Sequence, residues 1–155
     1  MAAQPDLAHI HHAELLTTRP DESLGFFVDL LGMEVEHREG QSVYLRGWGD
    51  YQRYSLKLTE SDRTGVAHVA RRAWSEEGLE RVAAAIGRSG RGEGWTDGDH
   101  GHGRAYRFTD PDGHAFEVLY ESDRYVAPPE LAPSLKNQPQ RYTGRGACVK
   151  RLDHV

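Results

Sequence analysis

Cysteine is nearly absent from this chain. The single Cys148 cannot close an internal disulfide, so the fold rests on packing and hydrogen bonds, and a reducing compartment is acceptable. Long apolar runs are missing too, and none approaches the ~20 residues that a bilayer-spanning helix requires. The opening Met1-Ala2-Ala3-Gln4-Pro5 has neither the basic nor the apolar region of a secretory signal, which makes the cytoplasm the expected compartment. Positive charge is not in excess: 19 Lys and Arg stand against 24 Asp and Glu, a formal net charge of -5. A phosphate backbone finds no concentrated basic surface here, so nucleic acid is not an expected partner. Arg71-Arg72 and the Arg88 to Arg91 stretch read as solvated local spots.

What is present suits a soluble globular protein. The chain has 155 residues, 37% apolar and 28% charged, with a mean hydropathy of -0.71. That length forms one domain and buries roughly 70% of the unfolded surface.

An internal repeat organises the sequence. A strand near residues 7–17 is followed by Asp21-Glu22, which lead a helix with Leu24, Phe27, Val28 and Leu31 on one face and Gly32 at its end. Strand-like runs at Met33–His37, Ser42–Trp48 and Tyr54–Thr59 follow, separated by Glu39-Gly40 and Gly49-Asp50 turns. The pattern then restarts with a Val66–Ala73 strand. Ser75 is the expected N-cap of a helix with Leu79, Val82, Ala83 and Ile86 on its apolar face, closed by Gly87. Runs at Gly94–Asp97, Arg104–Thr109 and Ala115–Tyr120 complete it, the last two joined by the turn Asp110-Pro111-Asp112-Gly113. Leu24 and Leu79 are 55 apart (79 minus 24), and His12 and His68 are 56 apart (68 minus 12). Both repeats therefore read β-α-β-β-β in one register.

The expected fold class is α+β, with two tandem β-α-β-β-β units forming a curved mixed sheet. The domain covers 1–121, with repeats at about 7–60 and 65–121. Residues 122–148 read as an ordered, irregular connector, because Pro128-Pro129, Pro133 and Pro139 interrupt regular structure. Residues 149–155 read as a third strand opening, the first strand of a further domain, and the reading frame is expected to continue past Val155 with another pair of repeats.

Nine histidines invite a search for chemistry. Alternate residues share a strand face, so His12 lies with Ile10 and Glu14, His68 with Val66 and Ala70, and Glu117 with Ala115 and Leu119. A carboxylate inside a strand is costly without a partner. If the repeats pack side by side, His12, His68 and Glu117 converge into a facial triad, the set that binds Fe(II) and leaves positions open. The other reading makes them rim or core residues with ordinary hydrogen bonds. His9 and His11 fall on the opposite face, toward solvent or a helix, and His100 and His102 in a flexible glycine-rich loop. His37 and His114 read as strand-end and turn residues. Asp99–Gly103 lacks the strand–glycines–helix order of a dinucleotide fingerprint, and no nucleophile elbow is present. Tyr44, Trp48, Tyr51 and Tyr54 read as core or sheet-packing aromatics.

Four segments together carry a family resemblance. They are Phe26–Met33 (FFVDLLGM), Val43–Trp48 (VYLRGW), Tyr106–Glu117 (YRFTDPDGHAFE) and Val149–His154 (VKRLDH). In this order they resemble the type I extradiol ring-cleaving dioxygenases of the catechol 2,3-dioxygenase kind, within the vicinal-oxygen-chelate (glyoxalase-like) superfamily. The resemblance implies four repeats in two domains, this chain being the N-terminal one with the start of the catalytic one. It implies a catechol-type aromatic substrate, O2, Fe(II) with Mn(II) as the alternative, and a homo-oligomer. By the same resemblance His154 is the first metal ligand of the catalytic domain, and no catalytic residue lies within this chain. Tyr54 falls where the catalytic domain carries its acid–base histidine, and Arg107 where it carries a tyrosine near the substrate. The chain alone is therefore expected to be inactive, with His12, His68 and Glu117 converging on one face without a bound metal, and Glu117 then protonated or paired with a histidine or Arg107. Two alternatives stay open: a free-standing one-domain metal enzyme using His12, His68 and Glu117, and a metal-free small-molecule-binding protein of the same fold.

Overall fold

The computed structural model describes residues 5–153. The chain gathers into two compact units. One holds the residues up to His11 together with His68–Asp123, and the other holds His12–Ala67 with the residues from Arg124 onward. This differs from a division by repeat. The opening strand of each repeat is split between units, and the connector belongs with the first repeat.

The unit carrying the first repeat has strands β1 (Leu7–Thr17, from His12 on), β2 (Glu34–Glu39), β3 (Ser42–Arg46) and β4 (Leu56–Glu60). They run in the order β2-β3-β4-β1, antiparallel except for the parallel β4–β1 pair, in which Ala13 faces Leu56 and Leu15 faces Leu58. The expected strands are all present. Ala13, Leu45, Leu56 and Leu58 are buried on one face by their shared parity.

The helix of this repeat winds differently from a plain α-helix. A single turn, α1 (Pro20–Leu24), passes into a π-helical stretch over Gly25–Leu30, where the Leu31 N–H donates to the Phe26 carbonyl five residues back. The periodicity still found the correct side: Leu24, Phe27, Val28 and Leu31 are half-buried, while Phe26 and Leu30 are exposed. Gly32 ends the helix in the left-handed region at φ 78.

The connector is held by backbone and by a buried arginine. Ala147 and Val149 donate N–H groups to the Leu30 and Leu31 carbonyls at 2.8 and 3.1 Å, satisfying acceptors that the helix end leaves open. Trp48 and Gly49 donate to the Val149 and Lys150 carbonyls. Residues 149–153 are irregular, and the backbone groups of Val149 and Lys150 are bonded to the helix end and the loop at Trp48-Gly49 rather than to a ladder. Arg46, 1% exposed, donates to Glu34 Oε2 (2.7 Å), Gln140 Oε1 (2.9 Å) and the Asp50 carbonyl (3.0 Å), and its guanidinium stacks 3.5 Å over the Tyr125 ring. Gln140 in turn donates to Glu34 Oε1.

Asp50 anchors the β3–β4 loop by accepting from Gly47 N–H (2.7 Å) and Ser55 O–H (2.5 Å). Burial raises its pKa from 3.8 to about 6, against the lowering effects of Ser55, Gly47 and Arg46. A raised acid binds its proton more tightly when folded, so its stabilising contribution is complete below pH 4 and declines as pH rises through 6. The decline is on the order of 2–3 kcal/mol. Urea melts of wild type between pH 4 and 7 should show this slope, and Asp50→Asn, which keeps an acceptor but does not titrate, should flatten it. An unchanged slope in the variant would remove Asp50 as its source.

The other unit holds β5 (Gly65–Ala73, from His68 on), α2 (Glu76–Arg88), β6 (Gly92–Thr96), β7 (Ala105–Thr109) and β8 (Ala115–Leu119) in the strand order β5-β8-β7-β6. β5 and β8 are parallel, and the remaining pairs are antiparallel. Ser75 caps α2 by accepting the Gly78 N–H at 3.0 Å, with Glu76 and Glu77 in the first turn. The helix runs one residue beyond Gly87, and the left-handed residue that closes it is Gly90 (φ 75), because two further N–H groups, those of Ser89 and Gly90, still find helix carbonyls. Leu79 packs with Ala73 and Val118, and Val82, Tyr106 and Phe108 close around them. Burial of Leu79 contributes roughly 2 kcal/mol. The opposite face of the sheet is floored by Ala70, Ala105 and Leu119. Small side chains there leave room for larger polar groups. Among the described residues no helix is long and apolar enough to cross a membrane.

Candidate functional site

The polar face of the second-repeat unit follows from its register. Ala70 is paired with Glu117, and Arg107 faces Glu117 across β7–β8, so His68, Ala70, Arg107 and Glu117 share one side. On that side Glu117 is 2% exposed, its Oε1 lying 3.5 Å from His68 Nε2 and its Oε2 3.5 Å from Arg107 Nε. Within this unit His68 and Glu117, two of the three residues read from the strand pattern, lie side by side. Burial alone would raise the Glu117 pKa, but the hydrogen bond and charge of His68, with His102 and Arg107, outweigh it and leave the pKa lowered. Glu117 is therefore a paired carboxylate.

His102 was missed by the strand argument. It comes from the loop between β6 and β7, yet its side chain is 2% exposed and its Nε2 lies 3.8 Å from the same Oε1 of Glu117. The loop is tied down by bridges from His102 to Asp99 and Ser122, so it is ordered rather than free to move. The signal available in the sequence was the glycines on either side of His102, which permit the close backbone turn that delivers the ring. His11 also departs from expectation: it is 1% exposed, bonded to Ser122 Oγ at 2.8 Å and set edge-on to the His102 ring at 5.6 Å. Burial, reinforced by His102, His9 and Arg72, lowers its pKa to about 3, which keeps it neutral. A cavity of about 650 Å³ opens beside His102, lined also by Arg72, Asp99, Tyr120 and Ser122.

The remaining histidines fall as follows. His12 belongs to the other unit, fully buried, with its Nε2 3.5 Å from the Tyr54 hydroxyl and its ring 4.8 Å from the Tyr54 ring. Tyr44 and Tyr54 are core residues in edge-to-face contact, whereas Tyr51 is exposed. His9 is exposed. His114 sits in the exposed Asp110 turn, where Asp110 raises its pKa through a 2.9 Å hydrogen bond. His154 lies outside the described residues.

Two imidazoles and a carboxylate form a donor set suited to a divalent transition metal. Ligand atoms sharing an ion at 2.0–2.2 Å stand roughly 3–3.6 Å apart, and the 3.5 and 3.8 Å separations around Glu117 Oε1 are close to that range.

Comparison with known proteins gives the same direction. The metapyrocatechase of Geobacillus stearothermophilus is 47% identical over 150 residues, covering 97% of this chain and 46% of that protein. The manganese-dependent 2,3-dihydroxybiphenyl 1,2-dioxygenase of Geobacillus genomosp. 3 is 34% identical, covering 97% and 48%. Among solved structures, the substrate complex of homoprotocatechuate 2,3-dioxygenase from Brevibacterium fuscum with 3,4-dihydroxyphenylacetate superposes with a TM-score of 0.73 at 30% identity, over 81% of this chain and 40% of that one. The chain spans about half the length of the curated relatives it matches. With residues 9–118 matching its family pattern, the chain belongs to the Glyoxalase/Bleomycin resistance protein/Dioxygenase superfamily.

Proposed function

We propose that this chain is the N-terminal portion of a metal-dependent extradiol dioxygenase that opens a catechol-type aromatic ring with O2. The observation that carries the reading is the 47% identity to a metapyrocatechase across 97% of this chain but 46% of that protein. By resemblance, His154 and ligands of a second domain would hold an Fe(II) or Mn(II), which would supply Lewis-acid activation of the catechol and O2. Both oxygen atoms end in the ring-opened product, so no external reductant is consumed.

The ligands for that reaction begin at His154 and continue in a second domain. Within this chain, His12, His68 and Glu117 are the corresponding candidate set, but their surroundings suit a structural duty. By resemblance Tyr54 stands in the acid–base position, and here it is a fully buried core side chain whose hydroxyl lies 3.5 Å from His12 Nε2. Arg107, half-exposed, is engaged with Glu117. A homo-oligomer in the cytoplasm completes the proposal.

The test compares the 155-residue chain with a longer protein carrying both domains. Each is loaded with Fe(II) anaerobically, given catechol, then aerated while O2 uptake and yellow ring-cleavage product are followed. The longer protein should turn over and the 155-residue chain should not. Product from the short chain, lost in His68→Ala, would replace this reading with the one-domain enzyme.

A further inference from the structure

We propose that the partly exposed apolar side chains Phe26, Leu30, Trp48 and Tyr142 form the surface on which a following domain of the same protein docks. The inference rests on the reading that a second domain follows, and it assigns that domain a seat that the reading leaves open.

The argument begins with the end of the connector. Ala147 donates its N–H to the Leu30 carbonyl at 2.8 Å, and the next residue, Cys148, accepts the Trp48 indole Nε1–H at 3.3 Å. Leu30 and Trp48 are thereby gathered onto consecutive residues of one segment. Tyr142 joins them, its ring set edge-on to that of Trp48 with centroids 5.4 Å apart. Phe26 stands four residues before Leu30 in the π-helical stretch, where hydrogen bonds reach five residues and residues four apart stay on one side. Phe26, Leu30 and Tyr142 are 49%, 60% and 61% exposed, and Trp48 is half-buried. Single exposed apolar residues are ordinary on a protein surface, but large ones gathered around one segment mark a place of contact. The patch continues past Phe26 into a recess of about 520 Å³ that Phe27 and Thr64 also line. A recess of that size accepts side chains from a partner.

The same segment decides which partner. The Lys150 carbonyl is held by the Gly49 N–H at 2.7 Å, on the loop that carries Trp48. Asp153 is three residues further (153 minus 150), and three extended residues reach at most about 11 Å. A domain that folds beyond this point starts beside the patch. Its tether gives it an effective concentration in the millimolar range, typical of short linkers. A second copy of the chain at micromolar concentration competes poorly with that. There is also length enough for such a domain in a relative: the matched part of the Geobacillus stearothermophilus metapyrocatechase is 46% of that protein.

The experiment is hydroxyl-radical footprinting read by mass spectrometry, on the wild-type 155-residue chain and on a longer protein carrying both domains. Phe26, Leu30 and Tyr142 should oxidise at least fivefold more slowly in the longer protein. Trp95, 42% exposed in the other unit, should keep its rate. A second measurement uses Leu30→Asp. It should leave the melting midpoint of the 155-residue chain unchanged, because Leu30 is exposed there, and lower that of the longer protein by several degrees. Equal oxidation rates in the two proteins overturn the proposal, as does a slowing shared equally by Trp95. Protection that appears in the short chain as its concentration rises overturns it in favour of a second copy. A longer protein that cleaves catechol while its patch oxidises freely sinks this inference alone. A protected patch in a longer protein without ring cleavage sinks only the functional reading.

Discussion

Arg46→Ala is expected to destabilise the chain by about 3–5 kcal/mol, the usual consequence of removing one partner from a buried ion pair. The guanidinium is almost wholly inaccessible and meets Glu34, Gln140, the Asp50 carbonyl and the face of Tyr125. Alanine would leave the Glu34 carboxylate beside Gln140 without its counter-ion, and would open a void under the tyrosine ring. The comparison is Arg19→Ala, whose Glu22 partner sits on the surface with both side chains about 70% exposed. Exposed pairs of that kind contribute roughly 0–1 kcal/mol. Urea melts of the two variants should differ by several kcal/mol, a large part of the 5–15 kcal/mol typical of a whole domain. Equal midpoints would show that the connector does not depend on Arg46.

Gly32→Ala should cost about 3 kcal/mol, and Gly40→Ala about 1. Both glycines have positive φ, 78 and 55, where an added Cβ is strained by roughly 1–2 kcal/mol. Only at Gly32 does that Cβ also meet packed backbone, overlapping the Arg145 carbonyl, while at Gly40 nothing lies within 4 Å. Relief would require moving the connector away from the helix end, loosening the Ala147 and Val149 hydrogen bonds, each worth about 1 kcal/mol. The difference between the two variants therefore measures the docking of the connector, free of the common backbone term. Thermal or urea melts of both proteins provide it, and identical losses would remove the steric part of the argument.

The repeat was legible because it is written in local signals. Ser75 followed by two glutamates, the Glu39-Gly40 turn and the Asp110–Gly113 turn each act over a few residues, so they mark elements without knowledge of the rest. The pairing of His68 with Glu117 was also legible, since strand parity assigns a face before any partner is known. What escaped depends on distant backbone. His102 reads as a loop histidine until the loop is tied to Ser122, and His11 looks solvent-facing until Ser122 and His102 cover it. The membership of the connector in the first-repeat unit likewise required Gln140, 94 residues from its partner Arg46. The π winding of Gly25–Leu30 keeps the same apolar side inward, and so the spacing could not reveal it.

The contact between Gly47, Gly49 and the stretch at Val149-Lys150 distributes mutational tolerance unevenly. Both hydrogen bonds there run from main chain to main chain, and a Cβ at Gly47 would come within 2.5 Å of the Lys150 carbonyl oxygen. At Gly47 the receiving loop thus meets the incoming segment through its main chain. Lys150 adds its side chain as well, which lies over Gly49 so that a Cβ there would come 2.5 Å from Lys150 Cγ, and an ammonium 5.7 Å from the Trp48 ring. In a saturation-mutagenesis map, position 47 should therefore stay intolerant whatever stands opposite, because it meets main chain, whereas the intolerance at 49 should ease when Lys150 is shortened.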